Sequence, residues 1–141
     1  MAEGRMAVAV AWGDCDAAGV VFYPNYFRWF DAATHAFLTA LGHPHRALQA
    51  RHRAIGLMLV DARASFRTPA TYGDALEVVT TVAERSARRV VLTHRVVRGA
   101  DLICEGQEIR VFAAVGPDGK VGAVPLPADL AEALSPPPTA E

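Results

Sequence analysis

Positions along this chain repeat with two periods. Phe27, Phe30, Thr34, Phe37, Leu38 and Leu41 recur at helical spacing, which predicts a long helix starting at Pro24 and ending near Leu41. Proline suits the first helical turn, where a missing N–H costs little, and Gly42 follows as the natural stop. Tyr26 and Trp29 add apolar bulk on other faces. The helix therefore reads as apolar nearly all round, suited to being wrapped by a sheet rather than lying on a surface. Elsewhere the runs are short and β-tolerant. They predict strands at Met6–Trp12, Leu57–Arg67, Leu76–Glu84, Val90–Val97 and Leu102–Val115, with a short last strand at Val121–Val124. Turn chemistry separates them at Thr68–Asp74, Arg85–Arg89, Gly99–Asp101 and the Asp118-Gly119 hairpin signal. His43–Ala54 reads as a polar loop with room for one helical turn, and Pro125–Leu134 as a short final helix. Residues 135–141, with three prolines, read as a frayed, disordered tail.

One strand, one long helix and then consecutive strands make an α+β domain over residues 1–134. The economical packing is a curved antiparallel sheet wrapped around a long central helix. Such a sheet leaves edges and a face to cover, so pairing with a second copy is expected.

Composition narrows the class. Hydrophobic residues make up 52% and charged residues 21%, which excludes disorder for the main body. The net charge of −1 gives no reason to expect nucleic acid or an acidic membrane face as partner. Lys120 is the sole lysine among otherwise arginine cations. Cys15 and Cys104 lack metal-ligand spacing and are too few for a disulfide scaffold. No leader-like segment opens the chain and no run approaches a membrane span, so a cytoplasmic domain is expected.

Chemistry concentrates between the first strand and the helix, in Gly13-Asp14-Cys15-Asp16-Ala17-Ala18-Gly19-Val20-Val21-Phe22-Tyr23-Pro24-Asn25-Tyr26. With Arg28-Trp29-Phe30-Asp31-Ala32-Ala33, this run resembles the 4-hydroxybenzoyl-CoA thioesterase family of hotdog-fold proteins. The resemblance returns at Ala64-Ser65-Phe66, Tyr72-Gly73-Asp74, Glu108-Ile109-Arg110-Val111-Phe112, Val124-Pro125 and Pro127-Ala128-Asp129. It implies a hotdog fold, an active site at the interface of two subunits, and assembly as a dimer of dimers (a homotetramer). It also implies Asp16 as the catalytic carboxylate, with the Tyr23 backbone N–H facing the thioester carbonyl.

The residues fit that chemistry. Thioester hydrolysis places negative charge on the carbonyl oxygen, and a helix N-terminus offers unpaired N–H groups and partial positive charge. Pro24 cannot donate, so the donors lie around Tyr23, Asn25 and Tyr26. Asp16 suits either attack on the carbonyl or activation of water; as a bare Asp in a Gly-containing loop it also suits capping a turn. Asp14 reads as loop-structuring. Asp31, inside the helix, either lines the acyl site across the interface or pairs with Arg28 or His35. Phe22 and Tyr23 are placed to wall a flat acyl pocket, whereas Phe30 and Phe37 read as core. His94 reads as a satisfied strand histidine. Cys15, flanked by two carboxylates, is a poor nucleophile. Arg85, Arg88 and Arg89 share one turn and suit either coenzyme A phosphates or a solvated hairpin tip.

The expected activity is hydrolysis of an acyl-CoA to the free acid and coenzyme A, with no metal or separate cofactor. Ile55-Gly56-Leu57-Met58-Leu59 is apolar where hydroxybenzoyl-specific relatives are more polar, so benzoyl or another low-polarity aromatic acyl group fits at least as well. The competing readings are a short aliphatic acyl-CoA substrate, a hotdog dehydratase, and an acyl-CoA sensor or scaffold without turnover.

Overall fold

The computed structural model describes residues 3–136. Five long strands, β1 (Glu3–Ala9), β2 (Ala54–Phe66), β3 (Ala75–Arg85), β4 (Arg89–Arg98) and β5 (Asp101–Val115), form one antiparallel sheet in the order β1-β3-β4-β5-β2. Short β6 (Val121–Ala123) pairs with β5. The long helix α1 (Pro24–Ala40) contacts both β1 and β2, the two ends of that strand order, so the sheet curls around it. The hotdog arrangement expected from the sequence is the observed one. Prolines and other residues beyond position 136 lie outside the described residues, and with them most of the expected tail.

Helix α1 buries Tyr26, Trp29, Phe30, Ala33, Thr34, Phe37 and Leu38. These positions step by three and four, so they form a single stripe. Arg28, Asp31, Ala32, Ala36 and Thr39 face outward, which corrects the expectation of a helix apolar all round. The small outward residues had hidden the polar side. Phe30 packs flat on His94, with ring centroids 4.9 Å apart and planes 6° apart. Gly106 lies beneath that ring: a Cβ there would come within 2.3 Å of Phe30, so β5 needs glycine to bring the sheet this close to the helix.

The first strand runs from Glu3 to Ala9 rather than from Met6 to Trp12. Ala11 N–H donates to Asp14 Oδ2 at 2.8 Å, and Trp12–Asp14 curl into one 3₁₀ turn instead of extending the strand. The expected polar loop after Gly42 holds a two-turn helix, α2 (His45–His52). Its Leu48 is fully buried, and that single anchor outweighs a polar sequence. Strand β2 begins three residues earlier than expected, through a bulge at Gly56, whose φ of +117° and contact with the His45 ring both exclude a side chain. The last helix, α3 (Ala128–Ala133), occupies the centre of the expected span.

Candidate active site

The loop between β1 and α1 is folded as a small hairpin. Cys15 pairs antiparallel with Val21, and Asp16 N–H donates to Val20 O at 2.9 Å. Asp16, Ala17, Ala18 and Gly19 make the tip, closed by Gly19 N–H to Asp16 O at 2.9 Å. Asp16 Oδ1 accepts Ala18 N–H at 2.9 Å, so the turn-capping role is realised; one oxygen is left for other work. The carboxylate is exposed and lines a cavity of about 510 Å³ with Trp12, Cys15, Gly19, Thr71 and Tyr72. Trp12 and Tyr72 meet edge-on, with centroids 5.7 Å apart, and form its aromatic wall.

The returning arm of the hairpin runs directly into α1. Asn25 N–H donates to Phe22 O at 2.9 Å and Tyr26 N–H to Tyr23 O at 3.2 Å. Two of the three donors expected at this helix start are therefore consumed by its first turn. Among the described residues, Tyr23 N–H donates to no protein acceptor. Phe22 and Tyr23 are exposed neighbours with centroids 5.4 Å apart, and Tyr23 also meets the exposed Phe66 ring at 6.3 Å. Phe30 and Phe37 lie in the core, as expected.

Asp14 organises this loop. Its carbonyl accepts Phe22 N–H at 2.9 Å and the Asn25 amide at 2.8 Å, and its carboxylate binds Arg28 at 2.9 Å. Arg28 is thus unavailable to Asp31. Of the two helix partners expected for Asp31, His35 is present at 3.4 Å, but the shorter contact, 2.7 Å, is to Arg110 on β5. Within one protomer Asp31 is not part of the Asp16 cavity lining.

Arg110 belongs to a buried polar cluster. Its guanidinium donates to Glu108 Oε2 at 2.9 Å and to Leu57 O at 3.1 Å. Glu108 also accepts from Thr34 and from His94 Nε2, the latter at 2.9 Å, and His94 Nδ1 meets Thr80 Oγ1 at 2.8 Å. His94 is the satisfied strand histidine expected, sealed from solvent. Burial alone pushes the Glu108 carboxyl upward. Its hydrogen bonds from His94, Arg110 and Thr34, with the Arg110 charge, outweigh that and bring it down to about 2.

Residues 10–134 match the thioesterase-like superfamily. The chain is 36% identical over 136 residues to the 4-hydroxybenzoyl-CoA thioesterase of Pseudomonas sp. (strain CBS-3), spanning 92% of this chain and 96% of that protein. This chain belongs to the 4-hydroxybenzoyl-CoA thioesterase family. One solved family structure is an aspartate-to-asparagine mutant of 4-hydroxybenzoyl CoA thioesterase complexed with 4-hydroxybenzoyl CoA. It matches with a TM-score of 0.85 and 34% identity, over 96% of this chain and all (100%) of that one. A gentisyl-coenzyme A thioesterase matches with a TM-score of 0.79 and 33% identity, over 92% and 98% of the two chains.

The arginine-rich turn of this chain is only partly assembled as a site. Arg85 closes β3 and Arg89 opens β4, and both line a cleft of about 220 Å³ with Glu84 and Ser86. Among the described residues, Arg85 Nε is buried without a hydrogen-bond partner. Arg88 sits exposed in the turn between them, its carbonyl accepting Phe112 N–H at 3.0 Å. None of the three lines the Asp16 cavity. Sequence reasoning missed Arg110 as the partner of Asp31, and Glu108 as the partner of Arg110. The signal was present: both alternate with Phe112 on the face of β5 that must point into the core, where opposite charges two residues apart require partners.

Proposed function

We propose that this chain hydrolyses an aromatic acyl-CoA to the free acid and coenzyme A. As a member of the 4-hydroxybenzoyl-CoA thioesterase family it is a thioester hydrolase. The aromatic assignment is supported by two similar proteins, named for 4-hydroxybenzoyl and gentisyl groups. One observation carries the mechanism. A cavity-lining carboxylate with a free oxygen, Asp16, and an unpartnered helix-start N–H, Tyr23, lie on the two arms of one short hairpin.

The thioester carbonyl oxygen accepts the Tyr23 N–H, and the positive end of α1 stabilises the charge that develops there. Asp16 then acts in one of two ways. It attacks the carbonyl carbon, the C–S bond breaks, coenzyme A leaves as thiolate, and water cleaves the resulting anhydride. Alternatively it takes a proton from a water that attacks the same carbon. Both routes consume one water and give carboxylate, thiol and one proton. No metal or further cofactor enters either route.

Phe22 walls the acyl group beside Tyr23. Asp31 meets the far end of the acyl group from the other protomer of a dimer. Arg85, Arg88 and Arg89 hold the coenzyme A phosphates, a reading supported by the unpartnered Arg85 Nε. The dimer is supported by β2, which among the described residues pairs on one side only and exposes Met58, Leu59 and Val60 in succession. Two such dimers complete a homotetramer.

The test is thiol release from 4-hydroxybenzoyl-, benzoyl-, phenylacetyl- and short aliphatic-CoA. Aromatic esters should be turned over preferentially, and Asp16→Asn should cut release by about 10³-fold. A strong aliphatic preference would make the acyl assignment wrong. Binding without turnover across the panel would leave a sensor.

A further inference from the structure

The tip of the Asp16 hairpin has no apolar anchor. Asp16, Ala17, Ala18 and Gly19 are all exposed, and two alanines and a glycine give the tip nothing to bury. It is held from outside by the connection between β2 and β3. Val20 pairs antiparallel with Thr71, Val21 N–H donates to Ala70 O at 2.9 Å, and the Thr71 hydroxyl donates to Gly19 O at 2.8 Å. Among the described residues, no other side chain hydrogen-bonds the tip from outside the hairpin. Gly19 N–H in turn donates to Asp16 O, and Val20 O accepts Asp16 N–H, each at 2.9 Å. Both backbone bonds of Asp16 thus end on Gly19 and Val20, the residues that Thr71 grips.

Thr71 is itself fixed. Its N–H donates to Asp74 Oδ2 at 2.9 Å and its carbonyl accepts Asp74 N–H at 3.1 Å, closing the turn Thr71–Asp74. Arg98, at the end of β4, donates from Nη1 to the same Asp74 oxygen at 2.9 Å and to Pro69 O at 3.3 Å. The turn also grips the chain ahead of the hairpin: Val10 N–H donates to Asp74 O and Gly73 N–H to Val10 O, each at 3.0 Å. It therefore holds the chain on both sides of Trp12 and Cys15, which line the Asp16 cavity, and supplies Thr71 and Tyr72 to the same lining. Stability does not require the hydroxyl. Backbone pairs already join hairpin and turn, and an exposed hydroxyl-to-carbonyl bond adds little. What the hydroxyl sets is where the tip sits, and a reaction rate is far more sensitive than stability to a small displacement of the reacting group.

Resting on the functional reading above, we infer that Thr71 is a positioning residue for thioester hydrolysis: its hydroxyl, set by the Asp74 turn and Arg98, pins the Gly19 carbonyl and so fixes where the Asp16 carboxylate meets the thioester carbon. Asp16 does the chemistry, and Thr71 acts through it. Valine in place of Thr71 keeps the branched shape and the cavity wall but has no donor, whereas serine keeps the donor.

The experiment uses the full-length protein and whichever ester of the panel wild type cleaves fastest. Thr71→Val should lower kcat about tenfold or more, with KM within about twofold and the unfolding midpoint unchanged. Thr71→Ser should restore kcat to within about threefold of wild type. In the Asp16→Asn background, Thr71→Val should change the residual rate by less than about twofold, because a residue acting through Asp16 has nothing left to act through. Amide hydrogen exchange reads the tip without turnover: in Thr71→Val the Asp16 and Gly19 amides should exchange about tenfold or more faster, while amides in the centre of β4 stay unchanged. Unchanged kcat or unchanged exchange in Thr71→Val overturns the inference, as does a loss that appears in KM or that serine does not restore. An equal loss in the Asp16→Asn background overturns it too, since the hydroxyl would then act on substrate or water directly. Asp16→Asn that keeps the wild-type kcat sinks the carboxylate mechanism instead, and wild type that releases no thiol from any ester sinks the hydrolase reading; in either case the exchange rates still judge whether Thr71 fixes the tip.

Discussion

Asp16 and Glu108 are two carboxylates that one fold treats in opposite ways. Asp16 sits exposed at a hairpin tip and accepts one backbone N–H. Glu108 is 1% exposed and accepts from Thr34, His94 and Arg110. The contrast follows from what each group must do. A buried carboxylate without partners costs several kcal/mol, so Glu108 has to be saturated, and a saturated oxygen has no lone pair to offer a substrate. The proposed nucleophile or base needs that lone pair, and Asp16 lies where water can solvate it. The fold therefore concentrates its polar contacts where helix meets sheet and leaves a carboxylate oxygen open at the hairpin tip, where the proposed chemistry lies.

The largest effects should separate the two groups along that line. Asp16→Asn should lower kcat by about 10³-fold with little change in KM, since it removes a group used in the transition state. Its unfolding midpoint should stay at the wild-type value, because the Ala18 N–H can still be accepted by the amide oxygen. Glu108→Ala should do the reverse. It takes from the buried Arg110 its buried counter-charge, leaving only the exposed Asp31 and the Leu57 carbonyl, and is expected to cost about 3–5 kcal/mol in urea unfolding, a large share of a domain's stability. If Asp16→Asn destabilised the fold as much as Glu108→Ala does, the division of labour drawn here would be wrong.

What could be read from the sequence was what local pattern encodes. Helix α1 and all six strands were legible from spacing, and Pro24 and Gly42 from their backbone chemistry. Asp16 and Tyr23 were singled out through the resemblance carried by the Gly13–Tyr26 run, which read as a loop; its hairpin pairing was not legible. Polar α2 was hidden because its single buried residue, Leu48, gives no periodicity. Partners were legible only within a helix turn. His35 was found for Asp31, but Arg28 was lost to Asp14, and Arg110 lies 79 positions away in sequence. The Glu108–Thr34 contact spans 74 positions. Such pairings are set by strand register and by how the sheet curls, and neither is written in any local window.

A third test uses acid to dissect the buried carboxylate from the exposed one. The Glu108 carboxyl is brought from 4.5 to about 2 in the folded chain. A group depressed on folding contributes its stability in full above the unfolded value and loses it as the pH falls through the folded one. The window is therefore pH 4.5 down to about 2, and the loss is on the order of 3 kcal/mol across it. Urea unfolding of wild type should steepen with falling pH in that window. Glu108→Gln should be less stable than wild type at neutral pH and should converge on it at the acid end. Parallel curves would mean that Glu108 is not held as the ion its partners imply.

The smallest expected effect lies in the pair that resembles the buried cluster in geometry but not in setting. Arg28 and Asp14 meet at 2.9 Å, as close as Arg110 and Glu108, but the Arg28 side chain is 61% exposed. Water screens the pair, and holding a long side chain in place offsets much of the attraction. Asp14 is in any case fixed through its backbone, because its carbonyl takes both the Phe22 N–H and the Asn25 amide. Arg28→Ala should therefore cost less than about 1 kcal/mol in urea unfolding and should lower kcat/KM by no more than about threefold. Asn25→Ala in parallel should reduce kcat more than Arg28→Ala does, because it removes the amide that ties the Asp14 carbonyl to the start of α1 and leaves only the Phe22 N–H on it. The reverse order would mean that the ion pair, rather than the amide, sets the distance between carboxylate and helix end.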